Sequence, residues 1–160
     1  MNKVTYTIWL WLEKIEDITL DGEISYMKSS DGIKSKFMEY IIKMSEVIGK
    51  YELHQTDSLV KKTCDYVLNH VEENISLKKI AKEVHASKDY IGKLFKQKTG
   101  CNFNQYVTKI KMEHVKYLIK LGSYKNYEVS EKLGYSNTDY FCCLFKKYTG
   151  YTPENSGKTI

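Results

Sequence analysis

The sequence predicts an all-α fold: two helix-turn-helix units joined by one long linker helix, preceded by a short segment with an amphipathic helix of its own. Three observations carry this. The stretch "DYIGKLFKQKTG" at 89–100 returns as "DYFCCLFKKYTG" at 139–150, with seven of twelve positions identical. Apolar residues recur at three- and four-residue spacing through both copies and between them. The only proline is Pro153, so no proline interrupts a helix between 58 and 150.

The elements follow in order. In "VTYTIWLWL", residues 4–12, the alternation fits a strand, and a helix fits as well. "SSDG" at 29–32 reads as a turn or loop. "KFMEYIIKMSEVIG" then puts Phe37, Tyr40, Ile41, Met44, Val47 and Ile48 on one helical face. A helix over Leu59–Val71 presents Val60, Cys64, Val67, Leu68 and Val71. Ser76 caps a short helix with a stripe at Leu77, Ile80, Ala81 and Val84. Ser87 caps the next, with Tyr90, Ile91, Leu94 and Phe95 facing inward, and Gly100 ends it. The linker helix runs from about Phe103 to Leu121, its inner stripe being Phe103, Tyr106, Val107, Ile110, His114, Tyr117, Leu118 and Leu121. Val129 and Leu133 then echo Ile80 and Val84, the turn "GYSN" is one residue longer, and Asn137 caps a last helix with Tyr140, Phe141, Leu144 and Phe145 inward.

Charge is uneven. Residues 1–57 hold 7 Lys and 10 acids, net −3, whereas 58–160 hold 18 Lys and 10 acids, net +8. A basic C-terminal part suits a polyanionic partner. All 25 basic residues are lysine, so no guanidinium fork is available for bidentate recognition of phosphate or guanine. Cys64, Cys101, Cys142 and Cys143 have neither CxxC nor zinc-finger spacing, which predicts reduced thiols and no metal or other cofactor. His85 and His114 lack ligand-spaced partners and read as structural histidines. The run Ile8–Leu12 is too short for a membrane span or a signal-peptide core, so a cytoplasmic protein is expected. No GxSxG, HExxH or P-loop pattern occurs, and catalysis is not expected.

From about Ser58 to Pro153 the sequence resembles the DNA-binding domain of AraC/XylS-family transcription regulators. "ISLKKIAKEVHASKDYIGKLFKQKTGCNFNQYV" is similar to the family's first helix-turn-helix and the start of its linker, and "LGYSNTDYFCCLFKKYTGYTP" to its second half. The overall pattern is similar to the output domain of YesN-type response regulators. The chain departs from the family at Asn126, usually apolar, and at Ser130, often Ala. It departs again at Lys111 and Val115, usually Arg and Ala, and after the proline, where "PENSGKTI" replaces an aromatic and an arginine. Those departures imply a second head packed less tightly and a final short helix missing or frayed.

The resemblance implies a sequence-specific regulator binding double-stranded DNA, with RNA polymerase as a further partner and no membrane. It maps base reading in the first head onto Asp89, Gly92 and Lys93. Subtracting the core stripe from each recognition helix leaves Lys88, Asp89, Gly92, Lys93, Lys96 and Gln97 in one, and Thr138, Asp139, Cys142, Cys143, Lys146 and Lys147 in the other. Lys93 can donate to guanine and Asp89 accept from cytosine, while Gly92 lets the backbone approach; Lys88, Thr138, Asp139, Cys142 and Cys143 complete the candidate base-facing set. Ser87, Lys96, Gln97, Asn137, Lys146 and Lys147 are the candidate phosphate contacts. The expected division is 1–57 as connector and candidate dimerisation segment, 58–153 as the tandem helix-turn-helix domain and 154–160 as a tail. The competing reading is a protein-interaction module on the same scaffold with little DNA affinity.

Overall fold

The computed structural model describes residues 14–16, 30–122 and 124–156 of the 160-residue chain. The alternating stretch at 4–12 lies outside them. Among the described residues every regular element is helical. A helical stretch at Lys14–Glu16 is followed by α1 (Ser30–Lys50), α2 (Ser58–Asn69), α3 (Leu77–Glu83), α4 (Lys88–Thr99), α5 (Phe103–Lys120), α6 (Asn126–Lys132), α7 (Thr138–Thr149) and α8 (Pro153–Ser156). None of these helices is long and apolar enough to cross a membrane.

The helix boundaries follow local chemistry. Asp57 caps α2 by accepting from the N–H groups of Leu59 and Val60. Ser76, Ser87 and Asn137 each accept from the backbone N–H three residues on, in α3, α4 and α7. Asn102 and Gln105 form a reciprocal capping box at the start of α5. Gly100 and Gly150 close α4 and α7 in left-handed conformation. In both copies the threonine before that glycine donates its hydroxyl to the phenylalanine carbonyl four residues back, Thr99 to Phe95 and Thr149 to Phe145.

Two apolar cores share α5. Val47, Tyr51, Val60, Cys64, Val67, Leu68, Ile80 and Phe95 close on Phe103, Tyr106 and Ile110 of its first half. Val129, Leu133, Phe141 and Phe145 close on Met112, Val115 and Leu118 of its second half. Each member of the second core is 3% exposed or less, so the second head is closed despite its departures from the family pattern. Full burial of a phenylalanine such as Phe95 or Phe145 contributes roughly 2–3 kcal/mol.

Several expectations are corrected. Ser30, Asp31 and Gly32 form the first turn of α1 and not a loop; Asp31 suits the positive end of the helix dipole. Phe37 and Ile41 are 49% and 44% exposed, because only the later part of α1, through Tyr40, Met44, Val47 and the following Tyr51, rests on the first core. Leu121 is exposed just beyond α5. Tyr90 and Tyr140 lie outside the cores: the buried pairs are one residue later, Ile91 with Phe95 and Phe141 with Phe145, and a step of 100° turns each tyrosine outward. The final short helix is present, with the buried Pro153 at its first position, where a missing N–H costs nothing.

Candidate nucleic-acid interface

The first head turns from α3 to α4 through His85, whose φ is 52°. Beyond the Ser87 cap, α4 shows solvent Lys88, Asp89, Lys93, Lys96 and Gln97. None of these five side chains has a hydrogen-bond or ion-pair partner among the described residues. The Ser87 oxygen accepts from Tyr90 N–H and keeps its own proton for an acceptor outside. Gly92 is half-buried, and a Cβ there would stand 3.3 Å from Leu77 Cδ2. Its lack of a side chain serves the approach of α4 to α3.

In the second head Gly134 takes the place of His85, at φ 74°. A Cβ there would lie 3.4 Å from the backbone N of Asn74, an ordinary contact, so it is the positive φ that favours glycine at position 134. On α7, Asp139, Cys143, Lys146 and Lys147 are exposed and without partners among the described residues. Thr138 is half-buried, and its hydroxyl lies 3.0 Å from Ser130 Oγ, so it ties α7 to α6. Ser130, where the family often has alanine, also donates to Tyr127 O at 2.9 Å. Cys142 is half-buried against the second core, and burial pushes its thiol up. Cys142 thus matches Gly92 as a packing position, while Cys143 stands where the first head has Lys93.

The heads are braced against each other by polar groups. Lys111, 6% exposed in the middle of α5, donates to Glu73 O of the first head at 2.8 Å and to Leu133 O of the second. Burial pushes its ammonium down to about 8. Beside it Glu72 lies 2.9 Å from His114 Nε2 and 3.0 Å from Lys132 Nζ. Burial lowers His114, which Glu72 partly offsets. Burial alone would raise Glu72, but its hydrogen bonds to His114 and Lys132 hold it below the usual carboxylate range. A second buried centre is Glu113, which accepts from Lys50 at 2.9 Å, Lys116 at 2.9 Å and Tyr148 at 2.7 Å. It joins the end of α1 to the recognition helix of the second head.

The family described as "Helix-turn-helix domain" matches residues 80–158, from within α3 to beyond α8. The chain is 46% identical over 83 residues to the transcriptional regulatory protein YesN of Bacillus subtilis, and 32% identical over 98 residues to the regulatory protein PocR of Salmonella typhimurium. These alignments take in 50% and 61% of this chain but only 23% and 32% of those proteins. Among solved structures it is similar to the C-terminal domain of AraT, a response regulator from Geobacillus stearothermophilus, with TM-score 0.63 and 27% identity over 66% of this chain and 88% of that one. It is also similar to the C-terminal domain of the two-component response regulator yesN from Fusobacterium nucleatum, with TM-score 0.56 and 27% identity over 59% and 93%. Residues 80–158 form a helix-turn-helix domain of the AraC type.

Within the AraC-type domain the candidate contacts divide. Lys88, Asp89, Lys93, Lys96, Gln97, Asp139, Cys143, Lys146 and Lys147 share the solvent faces of the two recognition helices. Gly92, Thr138 and Cys142 are half-buried and pack the heads. Tyr90 and Tyr140, absent from the candidate set, are exposed on those same helices. The signal for them was available: a buried i, i+4 pair at 91 and 95 leaves position 90 on the outside.

Proposed function

We propose that this chain is a sequence-specific, double-stranded DNA-binding transcription regulator acting in the cytoplasm, with α4 and α7 entering successive major grooves. The observation that supports it most is the repeated solvent face. Lys88, Lys93, Lys96, Lys146 and Lys147 are exposed and unpaired among the described residues, whereas the buried Lys111 and the partly exposed Lys50, Lys116 and Lys132 are engaged with carbonyls or carboxylates of the chain. Cations held free on two recognition helices suit phosphates and guanine edges. The 18-residue α5 is about 27 Å long, commensurate with the roughly 34 Å turn of B-DNA. The first head reads more bases, through Lys93 and Asp89, and the second contributes mainly phosphate contacts through Lys146 and Lys147. Activation of a nearby promoter would make RNA polymerase the second partner.

The test is a salt titration of binding to promoter fragments from the source genome beside a scrambled duplex. One fragment should bind with log K falling linearly in log salt, and Lys93→Ala should lower its affinity about tenfold or more while leaving the scrambled duplex nearly unaffected. Absence of binding to every duplex at about 50 mM salt would overturn the reading.

The segment before the domain pairs with a second copy in this proposal. Ile33, Phe37, Met38, Ile41 and Ile42 of α1 are between 37% and 56% exposed and lie along adjoining faces of one helix. Sedimentation from about 1 to 100 µM should show a dimer that Phe37→Glu abolishes. A monomer at every concentration removes the dimer and leaves the DNA reading untouched.

A further inference from the structure

Of the seven positions identical between the two copies, four have a structural reason. Leu94 and Leu144 pack against the cores, Phe95 and Phe145 are buried within them, and Thr99 with Gly100 and Thr149 with Gly150 close the helices. The other three are exposed: Asp89 with Asp139, Tyr90 with Tyr140, and Lys96 with Lys146. The tyrosines are the unexpected members. At 57% and 61% they are the most exposed large apolar side chains among the described residues. Each is the third residue of its recognition helix, its backbone N–H held by the cap, Ser87 at 3.2 Å and Asn137 at 2.8 Å. Neither hydroxyl has a partner among the described residues.

We propose that Tyr90 and Tyr140 are a matched pair of contacts to the DNA backbone, one per head, with the ring against deoxyribose and the hydroxyl donating to a phosphate oxygen. This rests on the DNA-binding reading above and adds to it two positioning residues that bear no charge. A tyrosine joins an apolar body to a polar tip, and the wall of a groove offers both: sugar C–H surface and phosphate oxygen side by side. The placement near the helix N-terminus fits, because the first residues of a recognition helix come nearest the duplex. The capping side chains, Ser87 and Asn137, stand at the start of the same two helices and add a donor of their own for phosphate at each.

The two copies differ in one respect. Tyr140 lies beside Tyr135, with ring centroids 6.4 Å apart, and Lys111 Nζ stands 5.3 Å from the Tyr135 ring centroid. The shorter first turn has Ala86 in that place and gives Tyr90 no such brace. Tyr140 is therefore held ready before DNA arrives and loses less freedom on binding.

Binding of four variants, Tyr90→Phe, Tyr90→Ala, Tyr140→Phe and Tyr140→Ala, is measured on the preferred fragment and on scrambled duplex across a salt series. Each Phe variant should bind about tenfold more weakly and each Ala variant about thirtyfold, equally on both duplexes. The salt slope should stay at the wild-type value, since a neutral donor releases no counterion, whereas Lys96→Ala should reduce it by about 1. Unchanged thermal melting followed by helical circular dichroism establishes that the variants fold. Wild-type affinity in both Ala variants would overturn the proposal while leaving DNA binding in place. A loss confined to the preferred fragment would also overturn it, making the rings base readers. Failure of the wild-type protein to bind any duplex would remove the DNA reading and this proposal with it.

Discussion

Lys111→Met is expected to lower stability by about 2–3 kcal/mol and to uncouple the two heads. The lysine is 6% exposed and gives its ammonium protons to two carbonyls that belong to different heads, Glu73 O and Leu133 O. Methionine fills the space and offers no donor, so both carbonyls lose a partner that water cannot readily replace; each such loss costs about 1–3 kcal/mol. Relief from burying a charge offsets part of it. The sign of the pH dependence is a second signature. Burial holds the folded-state value at about 8, below the roughly 10.4 of an exposed lysine. Between those values the unfolded chain binds the extra proton, so this residue's contribution to stability rises with pH across that window. The difference between wild type and Lys111→Met, taken from urea unfolding, should therefore widen from pH 7.5 to pH 10. On DNA, the variant should lose about tenfold or more on a site that spans both heads and little on a half-site for the first head alone, because the strut fixes the spacing between them. Equal unfolding midpoints at both pH values would remove the strut.

Local chemistry was readable in advance and distant pairing was not. The caps at Ser87 and Asn137 and the ends at Gly100 and Gly150 each depend on residues within four positions of one another, and the two copies write the same local pattern twice. A periodic pattern records such things directly. Lys111 finds Leu133 O at 22 residues and Glu73 O at 38; Glu113 finds Tyr148 at 35 and Lys50 at 63. On a helix these read as solvated charges, since nothing in the spacing distinguishes a buried lysine from an exposed one. The tyrosines failed for the opposite reason. Tyr90 and Tyr140 look like core because they adjoin Ile91 and Phe141, and a one-residue rotation of the stripe decides which of the neighbours is buried. Asn126 shows how a departure from a family pattern is absorbed. Its side-chain amide donates to Glu154 at 3.0 Å and fastens α8 to the start of α6 by a polar bond where an apolar contact was expected.

Glu113→Leu should cost about 3 kcal/mol, and Glu113→Gln about 1 kcal/mol. The carboxylate is 5% exposed and accepts from three donors on three parts of the chain: Lys50 at the end of α1, Lys116 one turn on in α5, and Tyr148 near the end of α7. Removing it leaves Lys50, which also pairs with Glu16 at 2.8 Å, and Lys116 to turn toward water, and leaves the Tyr148 hydroxyl without its acceptor. Breaking a buried pair from one side costs about 3–5 kcal/mol, and the partial exposure of both lysines places this case at the lower end. Glutamine keeps an acceptor oxygen and the volume but loses the charge, hence the smaller effect. Burial alone would raise the Glu113 carboxyl, yet its hydrogen bonds from Lys50, Lys116 and Tyr148 hold it below the usual range. With the folded value depressed, the stabilisation is present above the unfolded value of about 4.3 and is lost as pH falls through the folded one. Acid unfolding should therefore be less steep in Glu113→Gln than in wild type, and the two curves should approach each other toward pH 3. Parallel curves from pH 7 to pH 3 would show that Glu113 carries no charge-dependent share of the stability. Since Tyr148 belongs to the second recognition helix, a Glu113→Leu protein that still folds should also bind a two-head site more weakly than wild type, by loosening the end of α7 while leaving α4 as it was.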